Sequence, residues 1–597
     1  MTLNIKSLFR TLLGRHPRTI KPQDIRPHDP KKPSLANLNL DVIILVVYHL
    51  YDVDPQSVKS LALVCSTLYS MARYVQHREL SIDVSKDNIS KRLRSVTQNG
   101  LLPTIRTLHV HITEHFENYT DNRSPFSGSK SQRERLKVQL AAWTQLGDLV
   151  PKMLGLRDLH WTGAAIPDPV LDYLGKNPKI HLHLSLQAGG HSCYHDRELA
   201  RLKQLSAKLA GTHNLSSLRI KRVYTSATTC RLFTQVRLRQ LLLSSPRLRA
   251  LSLDIAYPHS GCVAYGPERD YCGFGLSNGE ILPPLEELEV IEYPWGQQPS
   301  VSGWQVNCLG YPEPTGTEME YWAQNLDWSQ LRRLRLHDSS VLLATHLAPQ
   351  LTALEEIELN SLVDNYNTHV PTFFNMLPST LKSITLPSLP PSGILTITAH
   401  AAKLRALSIH RSPLSNQDLL LLQNALPYLE TLTLVCTRGS ATWPHDALSI
   451  LAGFPRLESL TIWFDIGPVD APDKPYLTPS STGDIFTHLR QHGASRLRRL
   501  HAHSGFPPQP FHGFPSDQSY WPRSNMTSFI CQGDGDIPPE VSCSRLSRAQ
   551  NERLRRVARG ECMTQEESNN MYFLVALRGP MSMEKWLSWR TKRGVYF

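Results

Sequence analysis

The sequence predicts an α/β solenoid: a horseshoe of short parallel strands with helices on its convex side, preceded by a small all-α unit. First, a pattern of Leu or Ile, two residues, an apolar residue, one residue and another apolar residue recurs through the middle of the chain. Second, between copies the apolar spacing changes from two to about 3.6 residues, as in a helix. Third, prolines that end a helix and favour extended chain precede a Leu or Ile by two residues at Pro178, Pro246, Pro427 and Pro455.

The recurring pattern is typical of the strand segment of a leucine-rich repeat. Clear copies begin at Ile105, Leu215, Leu248, Leu285, Leu331, Leu354, Leu381, Leu404, Leu429 and Leu457, and looser copies at Leu156 and Leu497. From Leu331 to Leu457 the spacings are 23, 27, 23, 25 and 28 residues, which fits the range of about 20 to 29 for such repeats. The predicted array covers residues 78–502, with insertions near 255–284, 292–330 and 465–496.

Between two copies, the segment SNQDLLLLQNALP predicts a helix on the convex side. Ser415 and Asp418 have the spacing of a capping box, and Leu419, Leu422 and Leu426 share one helical face. Regular repeats carry asparagine after the strand, whereas three copies here carry Ser339, Ser412 and Asp465. The array therefore resembles the irregular leucine-rich repeats of fungal and other eukaryotic substrate receptors.

Charge is concentrated at the two ends of the chain. Residues 1–33 carry eight Lys or Arg against two Asp, and residues 544–597 carry eleven against five Glu, which accounts for the net charge of +12.

Residues 1–34 are predicted to be a basic tail, with an amphipathic anchor or transit peptide as the alternative. In residues 544–597 an arginine-rich helix on the last repeat is favoured over nucleic-acid binding or nuclear import. Residues 503–543 are predicted to be a loop rich in proline and aromatic residues, with a possible last repeat.

The cysteines and the apolar runs exclude two classes of protein. None of the ten cysteines forms a C-x-x-C pair, so neither a zinc ribbon nor a disulfide framework is indicated. Apolar runs reach only seven residues, against roughly 18 for a membrane-spanning helix. We expect an intracellular protein, cytoplasmic or nuclear, without a membrane partner.

Two short amphipathic segments, residues 38–50 and 54–73, lie in the predicted all-α unit of residues 35–77. They contain too few residues for an independent core, so an apolar face is expected to meet a partner helix or to cap the first repeat. The chain here resembles an F-box. The matching residues are Leu38, Asp41, Val42, Ile43, Val46 and Leu50 in the first half, and Leu61, Leu63, Val64, Cys65 and Tyr69 in the second. Asn39 replaces the usual proline and Asp41 the usual glutamate.

The resemblance implies a substrate-recognition subunit of a Skp/cullin/F-box ubiquitin ligase, without enzymatic activity or a cofactor of its own. It implies that the Skp-type adaptor of a cullin-RING ligase binds Leu38, Asn39, Asp41, Val42, Ile43, Val46, Leu50, Leu61, Val64, Cys65 and Leu68, while the repeats bind a protein substrate. The alternative is a non-catalytic repeat scaffold whose first helices only cap the array. A zinc hydrolase at His111, Glu114 and His115 is a remote alternative, because these residues fall on a predicted strand rather than a helix.

The substrate is expected on the concave face, since residues between the repeat leucines point outward. Glu287, Glu289, Arg333, Arg335, Glu356 and Glu358 would neutralise one another across neighbouring strands. The following strands would form an uncharged floor of Ser383, Thr385, Ala406, Ser408, His410, Thr431, Thr433, Ser459, Thr461 and Trp463. Residues 292–330 are rich in aromatics; Trp322 and Trp328 are expected to pack as a repeat helix, and Trp295 and Trp304 to lie in a recognition loop.

The recognition loop can be tested by deletion. Removing residues 296–312 should leave folding intact and reduce capture of substrates in affinity purification followed by mass spectrometry, because the deleted segment supplies contacts rather than core. Unchanged capture would place recognition elsewhere.

Overall fold

The computed structural model describes residues 40–53, 55–84, 89–112, 130–188, 195–223, 231–256, 273, 274, 276, 280–293, 322, 323, 326–337, 347–360, 366–389, 393–437, 442–464, 477–504, 527–533 and 539–545. Within these residues the fold is α/β, with a 16-stranded sheet whose strands follow one another in chain order. The predicted α/β class and parallel sheet are confirmed. Three helices precede the sheet: α1 (Leu40–Val53), α2 (Pro55–Leu61) and α3 (Ser66–Gln76).

Each strand of the sheet is short, and its first neighbours are its neighbours in the chain. The strands are β1 (Glu79–Asp83), β2 (Thr107–His111), β3 (Asp158–Thr162), β4 (His181–Ala188), β5 (Leu215–Val223), β6 (Ala250–Ala256), β7 (Glu287–Glu292), β8 (Arg333–Leu336), β9 (Glu356–Leu359), β10 (Ser383–Leu386), β11 (Ala406–Pro413), β12 (Thr431–Cys436), β13 (Ser459–Phe464), β14 (Arg499–Ser504), β15 (Thr527–Gln532) and β16 (Glu540–Arg545). All pairs from β1 to β14 are parallel.

The core forms because each strand points alternate side chains to opposite faces. One face carries buried leucines and isoleucines, and these pair in register from strand to strand: Leu334, Ile357, Ile384, Leu407, Leu432, Leu460 and Leu500 form one such row. They belong to one apolar core that extends from Leu80 to Cys531. The other face, which we call the open face, carries mainly polar side chains.

Helices connect the strands on the core side and contact one another along the array. They are α4 (Ile89–Gln98), α5 (Lys130–Leu149), α6 (Asp168–Lys176), α7 (His195–Leu209), α8 (Arg239–Leu243), α9 (Tyr366–Met376), α10 (Gly393–Thr398), α11 (Asn416–Ala425), α12 (His445–Ala452) and α13 (Pro479–Gln491). A π-helix spans Arg231–Leu238, and 3₁₀ helices span Leu102–Thr104, Val150–Lys152, Trp328–Gln330 and Ala348–Gln350.

Helix α11 begins as its sequence predicts. The Ser415 hydroxyl accepts a hydrogen bond from the Asp418 backbone N–H at 3.1 Å, and the Asp418 carboxylate accepts one from the Ser415 N–H at 3.2 Å. This reciprocal arrangement satisfies two backbone donors that a helix start leaves open. The predicted capping box is confirmed, and Leu419 and Leu422 are buried.

The array is longer than the sequence pattern indicated. Strands β1 and β4 do not match the full pattern, because His77 and Lys179 stand where the first leucine would be. Within the predicted insertion 465–496, residues 479–491 form the regular helix α13. Where a last repeat was possible within 503–543, β15 instead lies antiparallel to β14 and forms an antiparallel hairpin with β16. The short connection between β15 and β16 can join only antiparallel neighbours.

The predicted insertions contribute aromatic side chains to the core. Trp322 and Trp328 are buried, and the Trp328 indole N–H donates to the Trp322 carbonyl at 3.0 Å. Phe274 and Tyr293 lie against Trp322, with ring centroids 6.3 and 5.9 Å away. The packing expected for the two tryptophans is confirmed, although Trp328 begins a 3₁₀ helix rather than an ordinary repeat helix.

A glycine just before β14 tests how tightly the convex layer packs. Gly493 has a φ of +136° and a Cβ there would lie 2.8 Å from the Ala452 carbonyl oxygen. Gly100 also has a positive φ, +64°, but its missing Cβ has open space. Gly100→Ala should therefore cost about 1 to 2 kcal/mol of unfolding free energy from backbone strain alone, and Gly493→Ala about 1 to 3 kcal/mol more. Chemical denaturation of the two variants measures the difference, and equal losses would contradict the packing described.

Candidate functional site

The three first helices have a small core of their own. Its buried residues are Ile43, Val47, Val58, Leu61, Leu68, Ala72 and Val75, and this cluster is separate from the core of the sheet. The expectation that the unit is too small for a core is wrong, because the three helices cover each other's apolar faces. Of the predicted adaptor contacts, Ile43, Leu61 and Leu68 lie in this core and are not available to a partner.

The same helices also expose apolar side chains to solvent. Leu63 is 88% exposed and Leu45 is 66% exposed. Val42, Val64 and Tyr69 are also exposed, and we refer to these five exposed side chains of the three-helix unit as the apolar patch. Val46, Leu50 and Cys65 are partly buried at its margin. Leu38 and Asn39, and the side chain of Asp41, lie outside the described residues.

Two arginines join the three-helix unit to the first strands. The Arg78 guanidinium lies 5.2 Å from the Tyr48 ring centroid and 5.1 Å from that of Tyr51. Arg106 donates to the Tyr74 hydroxyl at 3.0 Å and to the Gly155 carbonyl at 3.0 Å. The hydrogen bond from Arg106 lowers the pKa of Tyr74, which indicates a close, charge-assisted contact. The three-helix unit and the first strands are therefore in direct contact through these arginines and tyrosines, a cluster that we call the joint.

In the middle of the open face, opposite charges alternate from strand to strand as predicted. Arg333 pairs with Glu287 at 2.7 Å and with Glu356 at 3.1 Å, and Arg335 pairs with Glu358 at 3.4 Å. Each half-exposed pair contributes about 0.2 to 1 kcal/mol. The pairs neutralise this part of the face.

A second series of ion pairs runs just before the strands. Arg249 pairs with Glu286, Lys382 with Glu355, and Arg405 with Glu430, at 3.5, 2.9 and 3.5 Å. This series was not predicted from the sequence, although a charged residue follows the first leucine of each of these repeats and could have indicated it. Since both series are internally paired, they indicate structural support rather than a charged binding site.

Beyond the ion pairs, β10 to β13 form the expected uncharged floor. Thr385, Ser408, Thr433 and Thr461 lie side by side in register, and Ser383, Ala406, Thr431 and Ser459 form a parallel row. His410 lies beyond them on β11, and burial lowers its pKa, which favours its neutral form. Whether a substrate binds this floor stays a prediction.

Of the three tryptophans predicted as anchors, one is covered by the fold and two lie outside the described residues. Trp463 is only 8% exposed, and its ring stacks on His503 with centroids 3.8 Å apart. It therefore packs between β12 and β14 rather than standing open to a partner, because Val435 of β12 and His503 of β14 lie on either side of it. Trp295 and Trp304 lie outside the described residues.

A cavity of about 810 Å³ lies at the other end of the open face, over β1 to β8, and was not predicted. Three histidines from successive strands, His109, His160 and His183, stack along its floor with ring centroids 4.3 and 4.2 Å apart. We call them the histidine row. The signal was present in the sequence, since T-L-H, D-L-H and H-L-H recur at the same strand position.

Burial and neighbouring imidazoles keep two histidines of this row, His160 and His183, uncharged. Desolvation, followed by the charges that His183 and His109 would carry, lowers the pKa of His160 to about 4. Burial also lowers the pKa of His183, although Asp158 lies 3.6 Å from its Nε2 and opposes the shift. At neutral pH His160 and His183 are therefore neutral, and their protonation is unfavourable unless a negative charge approaches.

Other chemistry is limited in the part of the chain that the structure describes. No group of three or more His, Cys, Asp or Glu residues there is arranged to hold a metal ion. His111 ends strand β2, whereas Glu114 and His115 lie outside the described residues. Burial raises the pKa of the Cys436 thiol to about 12 and that of Cys531 to about 11, so both are poor nucleophiles. No described helix has the length and apolar character needed to cross a membrane.

The chain was compared with known proteins. No protein-family model matches it, and no curated protein matches it.

The floor and the ion pairs can be compared directly by mutation. The double variant Ser408→Arg, Thr433→Arg should reduce substrate capture at least about tenfold, because two bulky charges would have to be desolvated in a contact. Arg335→Ala, which removes only a half-exposed pair, should change capture less than about threefold. Affinity capture with quantitative mass spectrometry, at equal folding by circular dichroism, measures both. A larger loss from Arg335→Ala would move the substrate onto the ion pairs.

Proposed function

We propose that this chain is the substrate-recognition subunit of a Skp/cullin/F-box ubiquitin ligase, built from an F-box and a leucine-rich-repeat solenoid. The observation that carries the proposal is the apolar patch on a helical unit that already has a core. Leu45, Leu63 and Val64 are not needed to fold the three helices, yet they remain open to solvent. Several exposed apolar side chains on one small helical unit are characteristic of protein interfaces. The resemblance of these residues to an F-box supports a Skp-type adaptor as the partner.

The mechanism we propose is proximity. The adaptor and cullin would hold a charged conjugating enzyme, while the open face of the sheet holds a protein substrate. The joint of Arg78 and Arg106 with Tyr48, Tyr51 and Tyr74 supports this role, because it connects the adaptor side to the substrate side through direct contacts. Orientation of two reactants contributes to rate without a catalytic group on the scaffold.

A repeat scaffold without ubiquitin transfer is the second candidate. The observation that favours it is the same joint, since the Arg106 to Tyr74 hydrogen bond is also what a helical cap on the first repeat would make. A cap, however, gives no reason for Leu63 and Val64 to face solvent. Adaptor binding distinguishes the two candidates.

The apolar patch provides the test of adaptor binding. Leu63→Asp and Val64→Asp should each weaken binding of a purified Skp-type adaptor at least about 100-fold, because the carboxylate must be desolvated in an apolar contact at several kcal/mol. Isothermal titration calorimetry measures the affinity. Ile43→Asp was an obvious choice from the sequence, but it would unfold the three helices because Ile43 is buried.

Leu421→Asp is the matched control. Leu421 is also an exposed leucine, 47% accessible, but it lies on helix α11 of the repeat array rather than on the three-helix unit. It should bind the adaptor like the unmodified chain. Wild-type affinity in Leu63→Asp and Val64→Asp would sink the F-box assignment, as would failure of the unmodified chain to bind any Skp-type adaptor.

A further inference from the structure

The turns that lead into β2 to β6 carry positive charge and no negative charge. Residues 101–106, 150–157, 177–180, 210–214 and 244–249 form these turns, and they contain six Lys or Arg but no Asp or Glu. The six cations, which we call the basic rim, are Arg106, Lys152, Arg157, Lys179, Arg247 and Arg249.

The turns that lead into β7 to β13 have a different composition. Their cations are Arg332, Lys382, Lys403, Arg405 and Arg456, and their carboxylates are Glu286, Glu355, Glu430 and Glu458. Most of these glutamates pair with a cation of a neighbouring turn, as Glu355 does with Lys382 at 2.9 Å. The absence of carboxylates from the turns into β2 to β6 is therefore a local feature of the array.

The cations of the basic rim lie along one edge of the sheet, because β1 to β14 are parallel and their amino ends meet at the same edge. Backbone contacts join the successive turns. The Arg157 N–H donates to the Arg106 carbonyl at 2.8 Å, and the His181 N–H donates to the Arg157 carbonyl at 2.6 Å. The Arg247 guanidinium donates to the Pro178 carbonyl, beside Lys179, at 3.1 Å. The charges therefore form one continuous series.

Most of these charges are not neutralised within the chain. Arg249 pairs with Glu286 at 3.5 Å, whereas Arg106 donates only to uncharged groups, the Tyr74 hydroxyl and the Gly155 carbonyl. The remaining four are exposed and form no ion pair with the described part of the chain: Lys152, Arg157, Lys179 and Arg247.

The carboxylates closest in sequence do not remove this surplus. Asp172 is paired with Lys208 at 2.7 Å, while Asp158 lies 3.6 Å from His183 on the open face. Counting Asp158 and the exposed Asp148 against the five cations without an ion pair still leaves three positive charges (5 − 2 = 3). Like charges on neighbouring turns repel one another, and a bound anion relieves that repulsion.

The chemistry of the basic rim favours carboxylates over nucleic acid. Surfaces that bind single-stranded nucleic acid combine cations with aromatic rings on which bases stack, and the turns into β2 to β6 contain no Phe, Tyr or Trp. The rim is also short. Four strand intervals of ~4.8 Å give about 19 Å, which an extended segment of about six residues covers at ~3.3 Å per residue.

We propose that the basic rim binds an acidic segment of a protein partner, an extended run of Glu or Asp whose carboxylates accept hydrogen bonds from Lys152, Arg157, Lys179 and Arg247. The inference goes beyond the proposed function and holds for a ligase subunit and for a scaffold alike. Because Arg106 contacts Tyr74, the bound segment would lie beside the three-helix unit. It would occupy the edge of the sheet and leave the open face free.

The test measures binding of fluorescein-labelled hexaglutamate to the full chain by fluorescence anisotropy, with hexaglutamine as the control peptide. Hexaglutamate should bind at least about tenfold more tightly at ~50 mM NaCl, and most of this difference should be lost at ~300 mM, because salt screens exposed charges. Residues 1–33 and 544–597 are also basic. The comparison between variants, which share both of these segments, therefore decides the result.

Arg247→Glu and Arg456→Glu form a matched pair of variants. Both arginines are exposed, follow a proline and precede the first leucine of a repeat, but Arg456 stands next to Glu458 in the mixed part of the edge. Arg247→Glu should weaken hexaglutamate binding about three- to tenfold, because it replaces an attraction with a repulsion, and Arg456→Glu should change it less than about twofold. Circular dichroism verifies folding.

Lys179→Glu and Lys403→Glu repeat the comparison with exposed lysines, which keeps the test decisive if an arginine variant does not fold. Equal binding of the two peptides would overturn the proposal, and so would equal losses within a matched pair. Tighter binding of a single-stranded RNA of the same charge, weakened by Arg247→Glu, would assign the basic rim to nucleic acid instead. No adaptor is present in this assay, so its failure leaves the F-box proposal standing.

Discussion

The contact of each inward apolar side chain with its counterpart on the next strand is the interaction on which the rest of this structure depends. A four-residue strand such as β8, β9 or β10 buries only two such side chains, which is too little for an independent core. Stacked in register, rows such as Leu334, Ile357 and Ile384 form one continuous core. Damage to this core is local: replacing one of these leucines with alanine should lower the unfolding free energy of the adjoining repeats by about 2 to 5 kcal/mol. The open face is left free to vary.

The regular part of this pattern could be predicted from the sequence because leucine spacing reports inward positions directly. The prediction from leucine spacing failed where a strand lacks its first leucine, as at His77 before β1 and Lys179 before β4. It also failed at the end of the array. An antiparallel hairpin such as β15 and β16 needs no crossover helix, so none of the repeat's periodic signals marks it.

The candidate surfaces were predictable to a smaller extent. Helical spacing identified the apolar stripe of α1, but it cannot tell which side chains of the stripe pack against the neighbouring helices of the same unit. Ile43 was therefore expected to contact a partner although it is buried, and the exposed Leu45 was overlooked. Trp463 was expected to be open, yet the next strand supplies His503 to cover it. The histidine row required knowledge of register, because three histidines dispersed over more than 70 residues, from 109 to 183, become stacked only when β2, β3 and β4 align.

The open face has three stretches of different electrostatic character, because the residues between the repeat leucines differ from one group of strands to the next. Around β2 to β4 they are stacked imidazoles, of which His160 and His183 have a lowered pKa and are neutral at neutral pH. Around β7 to β9 they are ion pairs, which remain balanced across the pH range in which carboxylates and arginines are charged. From β10 to β13 they are hydroxyls and small groups without charge. A protein bound along the whole face would therefore meet a different chemistry in each stretch, and the ion pairs in the middle would resist a partner that brings unpaired charge of either sign, since such a partner must disrupt existing pairs.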